Sequence, residues 1–145
     1  MANIFDLGPD FYSVPGEWNH DGRPYGKYVR QDIVEHPEIA KIRSDDCFVV
    51  TYPKSGTTWT LEIAHLVMNG GDTSISASTP HVIKTPFMEF KLDGITSLKE
   101  ASYDGLSIMN KLKPPRLVKS HLPVDLLPQD IYKKGCKIRI TNYKH

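Results

Sequence analysis

Two cysteines in 145 residues, Cys47 and Cys136, are too few to staple a small fold. Each lies in a segment that reads as a strand, and the pair reads as free thiols of a reducing compartment rather than a disulfide. No uncharged apolar run reaches about 18 residues, which excludes an ordinary membrane-spanning helix. The opening residues, MANIFDLGPD, break any secretory apolar stretch at Asp6 and Pro9, and Met1-Ala2 lacks the glycine that myristoylation requires. These absences lead us to expect a cytoplasmic protein without membrane attachment. Charge of one sign is missing too: 18 Lys and Arg stand against 17 Asp and Glu, a formal net charge of +1. That balance lacks the basic excess of a surface built to coat nucleic acid. Metal signatures are also wanting, with no H-E-x-x-H and no cysteine pair at zinc spacing. Glu62 and His65 make one Glu-x-x-His where a di-metal carboxylate site needs two, so no metal is expected.

The residues present describe one ordinary globular domain: 39% hydrophobic and 24% charged, with enough chain to bury a core. Residues 1–30 are rich in Gly, Pro and aromatics (Phe11, Tyr12, Trp18, Tyr25, Tyr28) and read as an irregular arm. Ile33, Val34, Ile39 and Ile42 suggest a short helix within 31–43, weakened by Pro37. Cys47-Phe48-Val49-Val50-Thr51 is a compact β-branched and aromatic run, as in a buried parallel strand. A polar loop then leads into a helix over 57–69, with Trp59, Ile63, Leu66 and Val67 as its apolar face and Gly70-Gly71 as its stop. The stretch 72–94 reads as loop, and 97–112 as a second helix against the preference of Gly105. Arg116 to Ser120 reads as a second strand and Lys137 to Ile140 as the opening of a third. We expect an arm and short helix over 1–44 and the main domain over 45–145. The alternation implies an α/β fold with a parallel β-sheet flanked by helices, and ligands bind such sheets beyond the carboxyl ends of their strands.

Two segments reach such an end with unusual chemistry. Thr51-Tyr52-Pro53-Lys54-Ser55-Gly56-Thr57-Thr58-Trp59 runs from strand through a tight loop into a helix start. Helix N-terminal N–H groups lack intrahelical partners and suit an anion. Gly56 permits close backbone approach, Lys54 adds a full charge, and the hydroxyls of Ser55, Thr57 and Thr58 can donate to phosphate oxygens. Trp59 offers a flat face to a nucleobase. The loop departs from G-x-x-x-x-G-K-[ST], because its lysine precedes its glycine. Taken alone, Ser-Gly-Thr is also a plain strand-to-helix turn capped by Ser55 or Thr57. The second segment is Arg116-Leu117-Val118-Lys119-Ser120-His121-Leu122-Pro123. His121 leaves the strand where a general base is needed, and Lys119 shares its face.

At these two segments the sequence resembles the cytosolic sulfotransferase family. Thr51 to Trp59 is similar to that family's 5′-phosphosulfate loop, and Arg116 to Pro123 to its catalytic strand end. Leu126-Leu127-Pro128 fits the family's pattern after the catalytic histidine. The likeness runs from about Asp45 to Ile140. It implies a P-loop-like sulfotransferase fold and the donor 3′-phosphoadenosine 5′-phosphosulfate (PAPS). It also implies sulfuryl transfer, without a metal, to the hydroxyl or amine of a small acceptor: a phenol, alcohol, steroid or amine. By resemblance Lys54 meets the bridging and leaving 5′-phosphate oxygens. Gly56, Thr57 and Thr58 hold that phosphate, with Ser55 in the loop, and Trp59 stacks on adenine. His121 takes the acceptor proton and Lys119 steadies the transferring group, with Lys119, Ser120 and His121 against the acceptor. The arm aromatics, with Phe87 and Phe90, are candidates for an apolar acceptor pocket and equally for ordinary packing.

One departure stands out. After Ile140 the family continues into an Arg-Asn-Pro-Lys-Asp-like turn, whereas here the residues are Thr141-Asn142-Tyr143-Lys144-His145. The family's 3′-phosphate clamp and its dimerisation motif are absent. The expectation is a C-terminally truncated form of weak or no activity, its donor affinity lowered by about 3–6 kcal/mol. The alternative is a non-catalytic nucleotide- or acceptor-binding module.

Overall fold

A computed structural model describes residues 16–92 and 102–141. Phe11 and Tyr12, the expected helix start at 97–101, and residues 142–145 lie outside the described residues. The expected irregular arm contains an antiparallel hairpin, β1 (Trp18–His20) and β2 (Arg23–Tyr25). Its turn is Asp21-Gly22, both at positive φ, a pairing that favours two-residue hairpins. Trp18 and Tyr25 face each other across the strands, with ring centroids 4.8 Å apart. The helix expected over 31–43 is shorter: α1 (Gln31–Glu35) breaks at His36, and a 3₁₀ turn follows at Pro37–Ile39. Pro37 disfavours helical backbone in the residue before it.

Beyond these lie β3 (Cys47–Thr51), α2 (Thr57–Met68), α3 (Thr73–Ser78) and α4 (His81–Lys84). The last two occupy the stretch expected to be loop, with Pro80 at the break between them. β4 (Lys91–Leu92) pairs with β5 (Tyr103–Asp104), and α5 (Gly105–Lys111) follows directly. β6 (Leu117–Ser120), α6 (Asp130–Lys133) and β7 (Lys137–Thr141) complete the described chain. Cys136 therefore lies just before a strand, and both cysteines are free. No helix among the described residues is long and apolar enough to cross a membrane.

The central sheet is parallel, in the order β6-β3-β7, with Cys47 opposite Leu117 and Lys137, and Val50 opposite Ser120 and Ile140. Side chains alternate across it. Phe48, Val50 and Val118 join Ile33, Val34, Met88, Met109, Leu122 and Ile131 on one face, while Val49 and Leu117 meet Leu61 of α2 on the other. The register starts from a fully buried ion pair. Arg116 donates through Nε to Asp46 Oδ1 at 2.7 Å and through Nη2 to Asp46 Oδ2 at 2.5 Å, directly before the paired strands. Its remaining donors reach the carbonyls of Met109 at 3.1 Å and Lys41 at 2.8 Å, and the Arg43 N–H completes the carboxylate at 2.8 Å. A buried pair survives desolvation only when its hydrogen bonds are satisfied in this way.

The apolar face expected for α2 is the wrong face. Trp59, Ile63 and Val67 are 77%, 56% and 75% exposed, and the buried positions are Thr57, Leu61 and His65. The rotation is set at the helix start, where the Thr57 hydroxyl lies 2.5 Å from that of Thr51, fixing 57, 61 and 65 against the sheet. Gly105, which argued against a helix, opens α5 under the Asp104 cap. A Cβ there would sit 1.7 Å from the Phe87 carbonyl oxygen, so only glycine lets α5 approach the 87–90 segment.

Two outcomes are expected for stability. Arg116→Ala leaves Asp46 buried and unpaired and should lose about 3–5 kcal/mol in urea unfolding. Gly105→Ala should lose about 3 kcal/mol by forcing backbone apart, where an exposed Ile63→Ala stays within about 0.5 kcal/mol of the parent.

Candidate active site

Thr51 ends β3, and the chain turns sharply before α2. Ser55 closes the turn twice on Tyr52 O, by its N–H at 3.2 Å and its hydroxyl at 2.6 Å. Lys54 takes φ +67° and Gly56 φ +86°, both left-handed; for lysine that backbone is strained, and such strain clusters at functional loops. Gly56 is the N-cap of α2, no side chain caps the helix, and no acidic residue stands in its first turn. The Thr60 N–H is the first to bond back, to Gly56 O at 3.1 Å, so those of Thr57, Thr58 and Trp59 stand outside the ladder. Neither Ser55 nor Thr57 caps the helix. The result is a 12-residue helix whose positive end carries no compensating charge, beside the ammonium of Lys54.

His121 follows β6 on the same side of the sheet as Thr51. Its Nδ1 lies 2.7 Å from Thr51 O, with Thr51 Oγ1 3.1 Å from the same nitrogen. A carbonyl only accepts, so Nδ1 carries the hydrogen and Nε2 is left as the basic nitrogen. Burial holds the His121 pKa below its ordinary value, with the Thr51 bond opposing and Lys119 adding to the lowering, so the ring is neutral near pH 7. Thr51, which the sequence marks only as a strand end, thus orients the His121 ring and, through Thr57, the turn into α2. Its one signal in the sequence is a threonine closing a strand otherwise built of apolar residues.

Pro53, Lys54, Gly56, Thr57, Thr58, Trp59, Lys119 and His121 line one cleft of about 400 Å³. Beside it lies a second pocket, about 320 Å³ and mostly apolar, walled by Val82, Phe87, Phe90, Leu92 and Tyr103 among others. Lys119 lines both, its Nζ 4.2 Å from the Phe87 ring centroid. Burial lowers the Lys119 pKa, against the pull of Glu89. Phe87 also meets the His121 ring edge-on at 4.8 Å. Of the aromatics offered for an acceptor pocket, Phe87 and Phe90 line this one, whereas Trp18 and Tyr25 stack on each other against the main core. A larger cleft of about 520 Å³ lies at the opposite end of β6, between α2 and Pro114–Leu117, and shares none of these groups.

The hydroxyls divide into two kinds. Thr58 is exposed at the loop, while the Ser55 and Thr57 hydroxyls are turned into the protein on Tyr52 O and Thr51 Oγ1. Ser120 is fully buried, and its hydroxyl accepts from the Leu122 N–H at 3.1 Å, supporting the strand end from beneath. Glu62 pairs with Lys84 at 2.8 Å, away from the cleft. Among the described residues no group of three or more His, Cys, Asp or Glu is arranged to hold a metal ion.

The model of the sulfotransferase domain family matches residues 44–140. Sulfotransferase 1 family member D1 of Rattus norvegicus is 43% identical over 130 residues, covering 90% of this chain and 36% of the relative. Sulfotransferase 1A1 of Canis lupus familiaris is 37% identical over 117 residues, covering 81% and 37%. The chain spans about a third of the length of these curated relatives. Among solved structures, mouse sulfotransferase SULT7A1 complexed with PAP matches with a TM-score of 0.57 at 21% identity, over 86% of this chain and 38% of that one. Retinol dehydratase in a complex with retinol and PAP gives 0.55 at 21%, over 77% and 38%. Those likenesses support the fold: a parallel sheet flanked by helices. The family match and the close relatives go further, and this chain belongs to the sulfotransferase family.

Proposed function

We propose that this chain binds PAPS in the 400 Å³ cleft and transfers its sulfuryl group to the hydroxyl or amine of a small acceptor held in the apolar pocket. The observation that carries this reading is the shared lining: an anion-ready helix start and a neutral, oriented histidine open onto one cleft, and Lys119 joins that cleft to an apolar one. The residues fit the donor, because the α2 N-terminus is uncapped, uncompensated and next to Lys54, and Trp59 presents an exposed face for adenine.

The donor, when bound, supplies an activated sulfuryl group on a phosphate leaving group. Lys54 and the N–H groups at 57–59 neutralise charge on the 5′-phosphate side. Thr58 adds its exposed hydroxyl, while Ser55 and Thr57 hold the loop in shape. His121 Nε2 takes the acceptor proton, and the Nδ1–H bond to Thr51 O stabilises the imidazolium that forms. Lys119, between the two cavities, offsets negative charge developing on the transferring group. Phe87 and Phe90 give the acceptor an apolar wall, which suits a phenol, alcohol or steroid; the retinol held by retinol dehydratase supports that class. In-line transfer then rests on positioning and charge neutralisation. The cations lining the cleft are Lys54 and Lys119, both assigned to the phosphosulfate end, so donor affinity and turnover are expected to be weak. A cytoplasmic setting fits the two free thiols.

Sulfuryl transfer from PAPS to a panel of simple phenols tests the reading. His121→Ala should lower the rate about a hundredfold or more while leaving nucleotide affinity intact. Protonation of the His121 ring should give the parent rate an acid limb below pH 6.5, the ordinary histidine value, because the ring must be neutral to accept a proton and burial lowers its pKa. Equal background rates in parent and variant would favour the non-catalytic binding module.

A further inference from the structure

Glu89 is 1% exposed, an unusual place for a carboxyl without a cationic partner in contact. It lies in the 86–90 segment, which runs alongside β6: Lys119 donates to Pro86 O at 2.9 Å, and Met88 donates to Lys119 O at 3.0 Å. Phe87 therefore sits level with Lys119, and Glu89 sits level with His121. Glu89 Oε1 accepts the His121 backbone N–H at 2.6 Å. Its Oε2 is buried and has no hydrogen-bond partner among the described residues. An amide would accept the same N–H without the cost of burying a charge, so what the carboxyl adds is its ability to change charge.

The charged and titratable groups around it are few. Lys119 on β6 and Tyr103 on β5 act on it electrostatically, and the Ser120 hydroxyl helps favour its charged form. Arg30 donates its backbone N–H to Glu89 O at 2.8 Å, but its guanidinium is taken up by Asp32 and Asp104. Burial outweighs the hydrogen bonds and Lys119, and the carboxyl pKa rises to about 7. The folded protein then keeps a proton that the unfolded chain releases from about pH 4.5 upward. On this account stability falls as pH rises from about 4.5 to 7.

We infer that Glu89 is a positioning residue for His121, a proton-gated brace whose ionised carboxylate grips the His121 backbone and fixes where Nε2 stands in the cleft. On protonation the carboxyl keeps its place but loses the charge that strengthens the bond, and the strand end loosens. The inference rests on the sulfotransferase reading for its consequence in turnover, but the Glu89–His121 coupling is measurable without any reaction.

The test is a pH titration of the full chain by amide NMR, between pH 5 and 9, in the parent and in Glu89→Gln, an isostere that keeps the acceptor. The His121 ring protons are followed in parallel to separate ring titration from the brace. In the parent, the His121 amide proton should move upfield through a transition near pH 7 on acidification, by more than any neighbour between Leu117 and Leu122. In Glu89→Gln that transition should vanish, with affinity for adenosine 3′,5′-bisphosphate unchanged. A parent amide with no transition between pH 5 and 9 overturns the inference, as does one that persists in Glu89→Gln. In the transfer assay, Glu89→Gln should lower kcat about ten- to a hundredfold at pH 8 with KM for the donor unmoved. It should also remove the limb near pH 7, leaving only that of His121. Transfer unaffected by Glu89→Gln contradicts the positioning role. Transfer absent in the parent, with the NMR coupling present, counts against the sulfotransferase reading and not against the brace.

Discussion

The buried Asp46–Arg116 pair is the constraint on which the site depends. It joins the residues immediately before β3 and β6, so it sets those strands side by side with Cys47 opposite Leu117. Further along, the register brings Val50 level with Ser120, and the next residues, Thr51 and His121, meet by a 2.7 Å bond. A one-residue slip would turn every side chain of β6 to the other face. Lys119 would then leave the cleft, and Phe48 would lose Val118. An ion pair in the core is a costly way to fasten two strands, and its worth here lies in specificity of register as much as in stability.

From that register comes a second layer of geometry. The Thr51 side chain touches both functional segments, the Thr57 hydroxyl at 2.5 Å and His121 Nδ1 at 3.1 Å. One residue thereby sets the rotation of α2 and the path of the turn before it, and its carbonyl sets the tautomer of His121. The charges are arranged with the same economy. The helix start and Lys54 line one cleft, Lys119 lines both that cleft and the apolar pocket, and Glu89 lies out of solvent. Burial lowers the pKa of both Lys119 and His121, which keeps the imidazole neutral, and the Lys119 ammonium lies 4.2 Å from the Phe87 ring centroid.

Much of this is legible in the residues, and the rest is hidden for identifiable reasons. The run from Cys47 to Thr51, the loop to Trp59 and the strand before His121 declare themselves, because a buried parallel strand and an anion loop each demand a distinctive composition. Periodicity points to the wrong face of α2 because Trp59, Ile63 and Val67 are apolar yet exposed, while a threonine and a histidine are buried; a hydroxyl bond, invisible to periodicity, chooses the rotation. The hairpin at Asp21-Gly22 carries its own turn signal, masked by the prolines and glycines around it. Short helices α3 and α4 sit next to Pro80, where propensity is weak and packing on α2 decides. A lone Glu89 in a Pro-Phe-Met-Glu-Phe stretch gives no hint that its side chain is entirely buried.

The central claim is that one cleft serves both the phosphate loop and His121. Its most direct test is an experimental structure with adenosine 3′,5′-bisphosphate and a simple phenol bound together. The account predicts the 5′-phosphate on the N–H groups of Thr57 to Trp59 beside Lys54, with the phenol oxygen at His121 Nε2. Nucleotide seated instead in the 520 Å³ cleft at the far end of β6, or a phenol remote from His121, would contradict it.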